Sequence, residues 1–195
     1  MNRLDPRSPQ VFSTVELSRR PGSMLQSSRV IEAPERIGTE VIAVPAGAPL
    51  EIEVRLESVL EGVYASGVVR GIASGACVRC LEPVTVPVAG TFQDLFAYPD
   101  RAAHHREVGV ADVDVPDYEV QGDLIDLGPL LVDTIVPALP FQPVCRPECP
   151  GLCAQCGFRL ADDPGHAHEL LDPRWSALAS LAGETDAADP TEKRN

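Results

Sequence analysis

The chain is poor in positive charge, in aromatic residues and in long apolar runs, and each shortage closes off a class of function. Lys and Arg number 16 against 29 Asp and Glu, giving a net charge of -13. A surface of that sign excludes general nucleic-acid binding by phosphate neutralisation, so any RNA contact has to be local or made through a protein, and DNA is not expected as a partner. Aromatic residues make up only 5% of the sequence, which leaves Val, Leu, Ile and Ala to build the core. No apolar run approaches the roughly 18 residues of a membrane-spanning helix. Arg19 and Arg20 lie in the N-terminal segment, but no apolar stretch follows them, which argues against a secretory or twin-arginine signal. The expected location is therefore cytoplasmic, without membrane attachment. Catalytic signatures are missing too: there is no phosphate-binding glycine loop, and Ser23, Ser66 and Ser74 lack a nucleophile-elbow context.

What the chain does have is 19 Pro and 15 Gly among 195 residues, with 44% apolar and 23% charged residues. That balance fits a globular protein of short elements and many turns, with one main core and an appendage. Residues 1–24 are polar and aperiodic and read as a flexible arm. Strand character begins near Ile31: Ile52, Val54 and Leu56 alternate with Glu51, Glu53, Arg55 and Glu57, and Gly62 stands at an expected hairpin turn. A further strand follows over VTVPVAGTFQDLFAY, bent near Pro87 and Gly90.

The stretch from Pro99 to Gln121, with Asp112, Asp114, Asp117 and Glu119, reads as an acidic solvated loop, and His104 and His105 within it as solvated side chains. The period then changes: Leu127, Leu130, Leu131, Ile135 and Leu139 mark one face of a helix near 127–138, with Asp126 as candidate cap, Pro129 in the first turn and Pro137 and Pro140 ending it. The expected fold is α+β, a mainly antiparallel β body over 25–141, either a partly open barrel or a sandwich. It carries that helix, a Cys/His segment over 142–183 that ends in a short helix, and a frayed tail over 184–195. Asp172, Pro173 and Gly183 supply the start and stop signals of the last helix.

Six cysteines carry the chemistry. Cys77-Val78-Arg79-Cys80 has the two-residue spacing of a zinc knuckle, in which one tight turn aims both sulfurs at a single metal. Cys145, Cys149, Cys153 and Cys156 fall within twelve residues, with Gly151 and Gly157 supplying turns. In a reducing compartment such clusters are metal ligands before they are disulfides. His166 and His168 follow, which brings the ligand count to eight, enough for two tetrahedral zinc sites. The preferred pairing puts Cys153, Cys156, His166 and His168 in one site and Cys77, Cys80, Cys145 and Cys149 in the other. A single metal on the four C-terminal cysteines, with Cys77 and Cys80 free or loosely associated, is its competitor. A redox role for Cys77 and Cys80 is disfavoured because Leu81-Glu82-Pro83-Val84 does not open a helix. Closed thiolate-rich sites point to a structural metal and a non-enzymatic protein.

The ordered set CVRCLEPV, a strand, an acidic stretch, a helix ending in ALP, CRPECPGLCAQCG and DPRWSAL resembles the bacterial YceD family from about Arg19 to Leu181. Cys77 and Cys80 match its C-x-R-C motif. Cys149, Gly151, Leu152, Cys153, Cys156 and Gly157 match its second motif, and Asp172, Pro173 and Arg174 the motif opening its last helix. The sequence departs from the family at His166-Ala167-His168, where many members carry a C-x-C pair, and imidazole can replace thiolate on zinc. The resemblance implies a role in accumulation of large-subunit ribosomal RNA and in ribosome assembly, with that RNA or ribosomal proteins as partners. Arg19, Arg20, Arg79 and Arg174, with Arg29 and Arg70 behind them, are the candidate RNA contacts, Arg79 being fixed between two ligands as a donor to phosphate. The alternative is a zinc-ribbon adaptor that binds basic ribosomal proteins and no RNA.

Overall fold

The computed structural model describes residues 4–101 and 118–168. Two compact units divide at Cys149, the first running Met1–Cys149 and the second Pro150–Asn195. The first is mostly antiparallel β with few helices, which agrees with an α+β class.

Strand formation follows side-chain alternation. In β5 (Pro49–Ser58), Leu50, Ile52, Val54 and Leu56 are buried while Glu51, Glu53 and Arg55 face solvent. It pairs antiparallel with the 15-residue β6 (Gly62–Ala76), and β6 with the equally long β7 (Pro83–Ala97) in unbroken register from Gly62↔Ala97 to Ala76↔Pro83. Gly62 closes the hairpin turn between β5 and β6, its carbonyl accepting the Val59 N–H at 2.9 Å. It opens β6, and an added Cβ there would lie 2.1 Å from the Phe96 carbonyl oxygen, so close strand approach is what demands glycine.

On the edge of β6 opposite β7, β5 occupies Val63–Arg70 and β4 (Ile42–Val44) the stretch Ser74–Gly75. β2 (Met24–Glu32) lies outside β5, β3 (Ile37–Gly38) outside β4, and β8 (Tyr118–Glu119) runs parallel to the end of β7. Among the described residues β2 and β3 each pair with one strand, so this seven-stranded sheet stays open.

The expected N-terminal arm is built into the body over part of its length. β1 (Val11–Ser13) pairs with β9 (Leu124–Asp126), and Phe12 and Leu17 join the core. At the acidic segment, residues 99–101 are helical and Tyr118–Glu119 form β8, so both described ends are ordered structure rather than loop. Its middle, with His104, His105, Asp112, Asp114 and Asp117, lies outside the described residues, as do Arg174, the expected helix over 172–183 and the tail.

Helix α1 (Gly128–Ala138) buries Leu130, Leu131 and Ile135, with Leu127 and Leu139 buried at its two ends. The N-cap is Leu127 rather than the expected Asp126, which stands one residue earlier and accepts the Gly128 N–H at 2.8 Å, and Pro137 sits inside the helix rather than ending it. Gly90 on β7 has no side chain where Thr134 approaches, and a Cβ there would meet Thr134 Cγ2 at 2.5 Å. The core thus joins Leu50 to Leu56 of β5, Val63 to Ala73 of β6, Val88, Phe92 and Phe96 of β7, and the apolar face of α1. No described helix is long and apolar enough to cross a membrane.

Candidate metal centres

β6 ends where the first knuckle begins. Cys77 N–H donates to the Glu82 carbonyl at 2.8 Å, and Leu81 N–H donates back to Cys77 O at 2.9 Å. This closes a tight turn around Cys77 and Cys80 that requires a positive φ at Leu81, +62°. The second knuckle repeats the arrangement: Cys153 N–H donates to Phe158 O at 2.7 Å, Gly157 N–H to Cys153 O at 2.9 Å, and Gly157 takes φ +72°. Gly151, at φ +83°, turns the chain ahead of it. Both glycines singled out in the sequence therefore sit in left-handed backbone, while Leu81 fills the equivalent place at a steric cost.

The chain returns to the first knuckle through Pro143, whose carbonyl accepts the Val78 N–H at 2.9 Å. That bond brings Cys145 and Cys149 to Cys77 and Cys80. The Sγ atoms of Cys77 and Cys149 lie 3.9 Å apart, those of Cys80 and Cys145 3.6 Å, and all four within 4.8 Å of one another. A tetrahedron with metal–sulfur distances near 2.3 Å has edges of about 3.8 Å, so these sulfurs are spaced for one metal ion. Cys77, Cys80 and Cys149 are buried and Cys145 is exposed.

In the second unit Cys153, Cys156, His166 and His168 gather in the same way, all ligand atoms within 4.8 Å. Cys156 Sγ lies 3.3 Å from His166 Nε2 and 3.2 Å from His168 Nε2, and the two imidazole nitrogens are 2.9 Å apart. Tetrahedral edges for two sulfurs and two nitrogens run to about 3.3–3.8 Å, slightly wider than these separations. Phe158 stacks on His166 at 4.7 Å and 25°, and a bridge between Leu152 and Arg159 closes the base of the loop. Neither the Pro143 tie nor the Phe158 stack has a signature in the sequence, since each depends on how the chain folds back.

The thiols are unequal. Burial raises Cys77, but the backbone groups of Cys145, Arg79 and Cys80 outweigh it and hold the thiol down at about 6. Cys145 goes the other way, to about 12, through desolvation of its sulfur and then the neighbouring Cys149, Cys80 and Cys77. For Cys80 the Glu82 backbone lowers the thiol, yet burial and Cys77 leave it raised. Cys153 is lowered to about 6 by the backbone of Cys156 and Gln155. Four sulfurs packed together cannot all ionise without a cation among them, and both donor sets can hold a metal ion.

The candidate RNA contacts are distributed differently. Arg79, expected as a preorganised phosphate donor, is exposed, and its Nη1 donates to the carbonyls of Pro147 at 3.2 Å and Cys149 at 3.1 Å, tying the ligand loops together. Arg29 lies 4.1 Å over Phe12 and donates to Val11 O, Arg70 pairs with Glu53 at 2.5 Å, and Arg19 lies 5.1 Å over Tyr98. Arg20 is exposed.

Residues 65–182 match the family model described as large ribosomal RNA subunit accumulation protein YceD, a span that takes in both clusters. The chain belongs to the YceD family. It is 44% identical over 180 residues to an uncharacterized protein of Mycobacterium tuberculosis, covering 90% of this chain and 83% of that one. An uncharacterized protein of Mycobacterium bovis matches equally, and one of Mycobacterium leprae is 39% identical over 174 residues, 89% of this chain and 78% of its own. No solved structure matches the chain.

Proposed function

We propose that this YceD-family chain is a non-enzymatic zinc-binding factor that supports accumulation of large-subunit ribosomal RNA and assembly of that subunit. The family match across residues 65–182 carries the process, since the family's own description names it. The donor sets supply the chemistry: four thiolates in one cluster, and two thiolates with two imidazoles in the other, suit zinc and leave no open position for substrate. In the first cluster Cys77, Cys80, Cys145 and Cys149 would hold the metal, which staples the end of β6 to the segment following α1. Arg19, Arg20 and Arg174 are the side chains we assign to local RNA contact.

A second reading, an adaptor for basic ribosomal proteins, draws on two observations. The net charge is -13, and Arg29, Arg70 and Arg79 are engaged within the protein itself. Depletion of the chain followed by sucrose-gradient sedimentation tests the process: the ratio of large to small subunits should fall, and an unchanged ratio would sink the assembly role. Crosslinking in cells separates the readings, with adducts to large-subunit RNA expected for the first and protein adducts alone for the second.

A further inference from the structure

The two clusters are alike in ligand number and unlike in almost everything else. In the first, Cys77 is fully buried, Cys80 is 6% exposed and Cys149 4% exposed, and Cys145 alone is open to solvent. Its ligands come from segments 65 or more residues apart, already positioned by the sheet, by the Val78–Pro143 hydrogen bond and by Arg79. In the second, Cys156 and His168 are exposed and Cys153 and His166 half-buried, and all four come from one stretch of 16 residues. Among residues 150–168 only Gly151 is buried, so the described part of this unit has no apolar core to hold its ligands together without metal.

We infer that the Cys153–Cys156–His166–His168 cluster is an exchangeable zinc site, which gives up or takes up its metal while the four-cysteine cluster, with three of its four ligands buried, stays loaded. The inference rests on the zinc reading above and adds an order of release. Ligand substitution needs an incoming donor to reach the metal, and only the second cluster offers that access on several sides. The step involves no oxidation: an incoming chelator donor replaces each protein donor in turn, zinc leaves as the divalent chelate, and the freed donors return to solvent. Loss of this metal removes the tie that joins Cys153 and Cys156 to His166 and His168 and leaves the sheet and α1 in place, making residues 150–168 a zinc-responsive element.

The test titrates the full-length, zinc-loaded chain with EDTA under native mass spectrometry, with N-ethylmaleimide labelling at each step. A one-zinc species should accumulate, alkylated at Cys153 and Cys156 and protected at Cys77, Cys80, Cys145 and Cys149, with the far-ultraviolet β signal retained. Cys156→Ser should bind one zinc instead of two and keep the fold of residues 4–149, which separates a lost site from a lost protein. Simultaneous loss of both metals, or a one-zinc species labelled first at Cys77, Cys80, Cys145 or Cys149, overturns the order of release while leaving the zinc reading intact. A chain that binds no zinc overturns both.

Discussion

Leu81 and Gly157 occupy the same place in two matching turns, each following the second cysteine of a C-x-x-C pair and each at positive φ. Left-handed backbone costs a residue with a Cβ about 1–2 kcal/mol, and the Leu81 side chain is largely exposed, so it recovers little by packing. Leu81→Gly should therefore stabilise the metal-loaded protein by up to about 1 kcal/mol after the extra flexibility of glycine in the unfolded chain is offset. Gly157→Leu should destabilise the second unit by a similar amount. Thermal melts of the two variants check both, and a lower midpoint for Leu81→Gly would contradict the strain. The thiols supply a second residue-scale prediction. The backbone of Cys156 and Gln155 that lowers Cys153 to about 6 belongs to a local turn closed by main-chain hydrogen bonds, so in metal-stripped protein that keeps this turn Cys153 is a thiolate at neutral pH, while the more exposed Cys145, raised to about 12, is not. Iodoacetamide at pH 7 should mark Cys153 before Cys145, the Cys153 rate rising through about pH 6 and levelling above it. Peptide mapping that finds Cys145 labelled first would refute the assignment.

At the scale of elements, close approach rather than turn geometry explains two of the glycines in the sheet. Gly62→Ala sets a methyl group against the Phe96 carbonyl and Gly90→Ala sets one against Thr134. Each should cost about 1–3 kcal/mol in chemical denaturation, as overpacking does in well-filled cores, and a neutral result at both positions would show that β6, β7 and α1 are less tightly packed. Elements whose own side chains carry a period were legible in the sequence: the alternation of β5 and the Leu127–Leu139 face of α1 both stand in the structure. The three-residue β1 and β9 are too short to show a period, and they exist because Val11 meets Asp126 across the fold. β2 was missed before Ile31 because it is an edge strand with polar residues at Gln26, Ser27 and Ser28.

For the whole molecule, the cysteine and histidine spacing announced metal chemistry, and ligand arithmetic alone suggested two groups of four. Which partners an arginine takes within the protein was not legible, because a guanidinium's partner is set by tertiary structure: nothing in the knuckle's spacing shows that Arg79 Nη1 bonds the Pro147 and Cys149 carbonyls. Arg79→Ala should thus loosen the first cluster, raising its zinc loss to chelator, whereas a phosphate-contact role would leave metal retention unchanged. The claim on which the molecule's architecture depends is that both clusters are metal centres. Its most direct test is the zinc content of the purified full-length chain by elemental analysis, set beside its melting temperature in EDTA. Two zinc ions per chain, with a lowered melting temperature once chelated, are predicted; one or none, with melting unchanged by chelator, would contradict it.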